Sequence, residues 1–157
     1  MKYFLIMITA FGIFFCDKPM TEKKNEISKS HSGKTIIFFG DSLTAGMGLD
    51  SQEESYAGLV QNKIKNDGFQ YSVINAGLSG DTTSGGLSRI DWVLSKKPDI
   101  FILELGANDS MRGIPPIQIK SNLIKIIRSV RQKYPDCKIL LTGMRTFPNL
   151  GPIYARK

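Results

Sequence analysis

The chain has 157 residues, 41% of them hydrophobic and 22% charged, which suits one folded domain with a leader and excludes a disordered or fibrous polypeptide. Its formal charge is +7, but residues 1–34 hold six Lys against three acids and carry +3 of that. The remainder is scattered, with no arginine-rich helix and no basic stripe interleaved with aromatics, so no nucleic-acid partner is expected.

The chain opens on Lys2 and an uncharged apolar stretch of thirteen residues, Tyr3 to Phe15, that ends at Cys16. Thirteen residues suit a signal segment and fall short of the roughly 20 needed to span a bilayer. A cysteine at that boundary resembles a bacterial lipoprotein signal, which implies lipidation of Cys16, export and a lipid anchor in the cell envelope. Phe15 stands where that pattern prefers a small residue, so an uncleaved N-terminal anchor is the alternative. Residues 17–34 are polar and lysine-rich with almost nothing to bury, as expected for a solvated tether. The organisation read from the chain is thus a signal segment over 1–16, a linker over 17–34 and a folded domain over 35–157.

Strand-like and helix-like segments alternate from there on, the pattern of a parallel sheet with helices on its faces. Thr35 to Phe39 is a continuous β-branched and aromatic run, expected for a central strand buried on both sides. Ser55 to Lys65 places Tyr56, Leu59, Val60 and Ile64 at helical spacing. Tyr71 to Asn75 reads as a second strand. Thr82 to Ser95 carries Leu87, Ile90, Val93 and Leu94 on one helical face, and Ile100 to Leu105 is a third strand. Pro115-Pro116 introduces a helix in which Leu123, Ile127, Val130 and Tyr134 recur every three or four residues. Lys138 to Thr142 is a fourth strand, preceded by Cys137, a small core residue. Short connections and right-handed crossovers then make the expected architecture a doubly wound α/β layer.

In such sheets ligands bind beyond the carboxyl ends of the strands, and three polar motifs lie there. Gly40-Asp41-Ser42-Leu43 follows the first strand, Gly77-Leu78-Ser79-Gly80-Asp81 the second, and Gly106-Ala107-Asn108-Asp109 the third. A serine at a helix start sits among backbone N–H groups that stabilise negative charge on a bound carbonyl oxygen. Ser42 is therefore the candidate nucleophile, with its own N–H, Gly80 N–H and the Asn108 amide as candidate oxyanion donors. Asp41 and Asp109 read first as turn and cap residues. Arg89 and Arg112 read as ion-pairing groups or as contacts to an acidic substrate, Glu104 as a carboxylate that must be paired or sit at a strand end, and the Met residues and Trp92 as core or face fillers.

Gly-Asp-Ser-Leu, then Gly-Asp-Thr-Thr-x-x-Gly-Leu-x-Arg over 80–89, then Glu-Leu-Gly-x-Asn-Asp-x-x-Arg-Gly over 104–113 occur in order, each after a strand. Together they resemble the GDSL, or SGNH, serine hydrolases of the bacterial arylesterase, thioesterase and lysophospholipase branch, from Thr35 to about Tyr154. The resemblance implies a flavodoxin-like three-layer α/β/α fold with a parallel sheet, an acyl-serine intermediate, and hydrolysis of small-molecule esters or thioesters without metal or organic cofactor. It carries the nucleophile onto Ser42 and the oxyanion donors onto Gly80 and Asn108. The family's last motif, Asp-x-x-His, supplies its general base and orienting carboxylate and has no match here. The one histidine, His31, precedes the first strand and reads as a linker residue. The expectation is a domain incomplete at its C-terminus, without the last strand and closing helix, and with little or no esterase activity. A non-catalytic module holding an acyl or sugar ligand on the same rim is the rival reading. A flavodoxin-like nucleotide binder is disfavoured, because Gly46-Met47-Gly48 lacks a third glycine and no Gly-Lys-Ser/Thr follows.

Overall fold

The computed structural model describes residues 33–143. Four parallel strands, β1 (Lys34–Gly40), β2 (Tyr71–Gly77), β3 (Ile100–Glu104) and β4 (Lys138–Leu141), lie in the order β2-β1-β3-β4. Between them run α1 (Ser42–Ala45), a 3-10 turn at Gln52–Glu54, α2 (Tyr56–Asn66), α3 (Thr83–Val93), α4 (Ala107–Met111) and α5 (Pro116–Lys133). The chain leaves β1 for β2 on one side and then crosses to β3 on the other. The crevice between β1 and β3 is therefore the switch point at which open α/β sheets place their ligands.

Alternation along β1 divides the core in two. Ile37 and Phe39 point to one face and pack with Phe101 and Leu103 of β3, Ile90 and Val93 of α3, and Ile126 and Val130 of α5. Ile36 and Phe38 point to the other face, where Ala57 and partly buried Tyr56 and Ile64 of α2 cover them. The helices α3 and α5 thus lie on one side of the sheet and α2 on the other, and the uninterrupted apolar run of β1 follows from burial on both sides.

The helices start where side chains satisfy their first N–H groups. Ser55 Oγ accepts from Gly58 N at the start of α2, and Thr82 Oγ1 from Gly85 N at the start of α3. Pro116 occupies the first position of α5, where no N–H is needed.

Several expectations need correction. Leu59 and Val60 of α2 are exposed, at 59% and 38%, while Ala57, Tyr56 and Ile64 make the contacts of α2 with the sheet. Trp92, expected to fill a face, lies 76% exposed near the end of α3, and Met47 and Met111 are exposed as well. Cys137 is only partly buried, just before β4, and packs at the margin of the α3/α5 core. The two shortest helices, α1 and α4, are too brief to leave an apolar period in the sequence. Cys16 and His31 lie outside the described residues.

Candidate active site

The register of the sheet brings the three polar loops to one level. Gly40 at the end of β1 is paired with Gly77 of β2 on one side and with Glu104 of β3 on the other. The next residues, Asp41, Leu78 and Leu105, therefore leave the sheet side by side. Leu78 N donates to Gly40 O at 3.0 Å, which ties the second loop to the first.

Ser42 is the first residue of α1. The turn before it is held by Asp41, whose Oδ1 accepts from Leu43 N at 3.0 Å and whose Oδ2 accepts from Asn108 Nδ2 at 3.1 Å. Capping by Asp41 thus satisfies the N–H after Ser42 and leaves that of Ser42 itself without a hydrogen bond among the described residues. Ser42 is partly exposed, and its Oγ likewise makes no hydrogen bond among them. The tight rim is possible because Gly40 has no side chain. A Cβ there would collide with Thr44 Oγ1 and lie 2.6 Å from Glu104 Oε2.

Gly80 sits third in the turn Leu78-Ser79-Gly80-Asp81, closed by Asp81 N donating to Leu78 O at 3.0 Å. Its φ of +78° is the left-handed value that a type II turn needs at this position and that glycine adopts without strain. Gly80 O accepts from Arg112 Nη2 at 2.9 Å. Gly80 is exposed, and its N–H has no partner among the described residues.

Asn108, in the first turn of α4, is buried and links both loops. Its Nδ2 donates to Asp41 Oδ2, beside Ser42, and at 2.9 Å to Asp81 O, beside Gly80. Both amide protons are thus engaged. In this arrangement the two backbone N–H groups are open donors, and the Asn108 amide reaches a third acceptor only by sharing one of its existing bonds.

A second layer fixes these loops. Arg89 of α3 donates from Nε to Asp81 Oδ2 at 2.7 Å, from Nη1 to Ala76 O at 2.9 Å and from Nη2 to Gly40 O at 3.1 Å, with its guanidinium 4.1 Å from the centroid of the Phe39 ring. Asp109 accepts from Thr83 N and Thr83 Oγ1 at 2.8 and 2.6 Å, and Asn122 of α5 donates to the same Thr83 Oγ1 at 3.1 Å. Arg89, Asp109 and Asp41 therefore take structural partners. Arg112 is exposed and caps a backbone carbonyl.

Glu104, read from the sequence as paired or at a strand end, closes β3 and accepts from Thr44 Oγ1 at 2.9 Å and from Asp41 N at 3.4 Å. Burial pushes its carboxyl above the ordinary value, and the nearby Asp41 charge adds to the rise. Tyr56 OH lies 2.7 Å from Thr44 Oγ1, and burial raises its phenol also. Sequence reasoning passed over Thr44 and Tyr56, whose hydroxyls meet Glu104 only because β1, β3 and α2 are packed together. Among the described residues no group of three or more His, Cys, Asp or Glu is arranged to hold a metal ion.

The arrangement has the parts of an acyl-transfer site: a partly exposed serine at a strand-to-helix turn, and backbone N–H groups on it and on the neighbouring loop that make no hydrogen bond among the described residues. Residues 38–157 match the GDSL-like Lipase/Acylhydrolase family. The chain is 36% identical over 129 residues to the esterase TesA of Pseudomonas aeruginosa, with 82% of this chain and 63% of that protein covered. It is 33% identical over 152 residues to an arylesterase of Vibrio mimicus, covering 96% of this chain and 70% of that one. Among solved structures it superposes on AlinE4, an SGNH-hydrolase family esterase, with a TM-score of 0.73 at 44% identity over 79% of this chain and 66% of that one. The chain thus spans slightly under two thirds of the length of the Pseudomonas relative and of AlinE4. The family match over residues 38–157, together with relatives 33% and 36% identical, makes this chain a member of the GDSL-like lipase/acylhydrolase family.

Proposed function

We propose that this protein hydrolyses, or derives from enzymes that hydrolyse, carboxylic esters or thioesters, with Ser42 as the nucleophile and the Ser42 and Gly80 N–H groups as oxyanion donors. The observation that carries this reading is the pair of open backbone donors on adjacent loops beside an unengaged serine hydroxyl. The names of its relatives, an esterase and an arylesterase, agree in reaction class. In this reading Ser42 Oγ attacks the acyl carbon, the carbonyl oxygen becomes an oxyanion facing the two N–H groups, the leaving alcohol or thiol departs with the serine proton, and water then cleaves the acyl-serine to release the acid and restore Ser42. Each such donor contributes about 100-fold or more in rate. The serine proton needs an acceptor, and no histidine lies among the described residues. A polypeptide of these 157 residues alone is therefore proposed to turn over slowly, since losing the base of a serine hydrolase costs about 10⁶ in turnover.

Added imidazole tests this directly. Ester hydrolysis and fluorophosphonate labelling that rise with imidazole in the wild type, over and above the rise in Ser42→Ala, support a site that lacks only its base. Equal rates in the two proteins sink the assignment of Ser42. Because no histidine lies among the described residues, a second reading stands beside the first, in which the rim binds an acyl or sugar ligand without turnover. Saturable binding of a non-hydrolysable acyl ether with no imidazole-dependent labelling favours it. We also propose an envelope location with a lipid on Cys16, supported by the apolar run that ends there. Cys16→Ser shifting the protein from membrane to soluble fractions checks it, and an unchanged partition refutes it.

A further inference from the structure

Glu104 is a partly buried carboxyl that the acyl-transfer reading does not use. It lies at the end of β3, directly across from Gly40 in the register. Its Oε2 receives two hydrogen bonds that bracket Ser42 in sequence, from Asp41 N before it and from Thr44 Oγ1 after it. Thr44 is fully buried, and its hydroxyl hydrogen goes to Glu104, so Tyr56 OH is the donor in the contact between Thr44 and Tyr56. A directed chain thus runs from α2 through α1 to β3, passing beneath the helix that begins with Ser42. Gly40 leaves the space in which it forms, since a Cβ there would meet both Thr44 Oγ1 and Glu104 Oε2.

We propose that Glu104 is a positioning residue for the nucleophile, its carboxylate holding the Asp41 backbone on one side of Ser42 and the Thr44 side chain on the other so that the serine N–H and Oγ face the substrate. The proposal rests on the acyl-transfer reading for its purpose but on the hydrogen bonds alone for its geometry. The charged and titratable groups facing Glu104 are few. Asp41, from the loop after β1, opposes its ionisation, and Tyr56, from α2, reaches it through Thr44. Arg89, from α3, donates to Gly40 O nearby, but its ion pair is with Asp81. Ionisation of Glu104 is thus sensitive to its surroundings, and the pins on Ser42 strengthen as it ionises.

Two readouts separate this role from a merely structural one. In ¹⁵N-labelled full chain, the Asp41 amide, bonded to Glu104, and the Leu43 amide, bonded to Asp41, report the two carboxyls individually. The Asp41 amide is expected to titrate with a midpoint above the ordinary glutamate range, and Glu104→Gln to abolish that titration and shift the Ser42 and Leu43 amides. An Asp41 amide whose titration survives Glu104→Gln, with the Ser42 amide unmoved, overturns the proposal. In imidazole-supported fluorophosphonate labelling, Glu104→Gln should lower the maximal rate about 10-fold and Glu104→Ala about 100-fold, with probe affinity unchanged. Unchanged maximal rates in both variants also overturn it. If wild-type Ser42 does not label at all, the acyl-transfer reading fails, and the amide titration alone decides whether Glu104 positions the loop.

Discussion

Arg89→Met removes a cation that joins the first two loops of the site. The guanidinium is nearly buried, with 18% of its side chain exposed against 5% for Asp81, so solvent screens the pair little. Three donors are lost at once, to Asp81 Oδ2, Ala76 O and Gly40 O, together with the contact over Phe39. Breaking a buried pair from one side costs about 3–5 kcal/mol, most of it for the carboxylate left behind. The two strand-end carbonyls fall within that range rather than adding to it, because Arg89→Met also deletes the desolvation cost of the guanidinium. With domain stabilities of about 5–15 kcal/mol, the variant should fold but unfold at a urea midpoint about 2 M lower, for a slope near 2 kcal/mol/M. Far-UV circular dichroism is the suitable probe, because Trp92 is already 76% exposed and its fluorescence reports little of the transition. The partner test is Asp81→Asn, which removes the stranded charge. In that background Arg89→Met should cost about 2 kcal/mol less than in the wild type. A single-variant cost below about 1 kcal/mol, or strictly additive costs, refutes the argument that the ion pair organises the rim.

Two further predictions concern the buried polar groups. Thr83→Val leaves Asp109 Oδ1 and Asn122 Nδ2 without the hydroxyl they share in a fully buried position. It should destabilise by about 2–3 kcal/mol, with Thr83→Ser restoring most of it in the same urea titration, and a loss under about 0.5 kcal/mol would show that water replaces the hydroxyl there. Glu104 has a folded-state value above its unfolded one, through burial first and Asp41 second. Its stabilising proton is held below the ordinary glutamate range and is lost as pH rises through the raised folded value, so wild-type stability should fall relative to Glu104→Gln over that window. Urea midpoints of the two proteins that stay parallel from pH 4 to pH 8 would contradict it.

The sheet was legible because its strands are long apolar runs bounded by polar turns. Thr35 to Phe39 and Tyr71 to Asn75 each proved a residue or two short at one end or both, the usual margin where the last residues of a strand are glycine or polar. The helices α3 and α5 were legible from their period, since Ile90, Val93 and Val130 lie buried where that period places them. In α2 the same period half misled, because Tyr56 and Ile64 pack on the sheet but Leu59 and Val60 are exposed, and only packing reveals that the small Ala57 is the fully buried contact. At the rim, the motifs placed Ser42, Gly80 and Asn108 at three strand ends, and the fold brings those three loops together. What could not be read is that Asn108 spends both protons on Asp41 and Asp81, and that Thr44 and Tyr56 converge on Glu104. Those bonds join residues 12 to 67 positions apart, and no local pattern encodes such pairings.

The pairing of β1 with β3 also has a kinetic side. Ser42 and Leu43 are adjacent to a strand that can pair with β2 early, yet the bonds that shape their turn come from Glu104 and Asn108, 63 and 67 residues from Asp41. Closing a loop of that length is slow relative to local turns and helices. During synthesis the serine therefore emerges well before the residues that orient it, and a nascent chain holding only β1 and β2 presents an ordinary hydroxyl. The turn that carries Ser42 thus takes its final form only once β3 has docked, and the shape of this rim reports the pairing of β1 with β3.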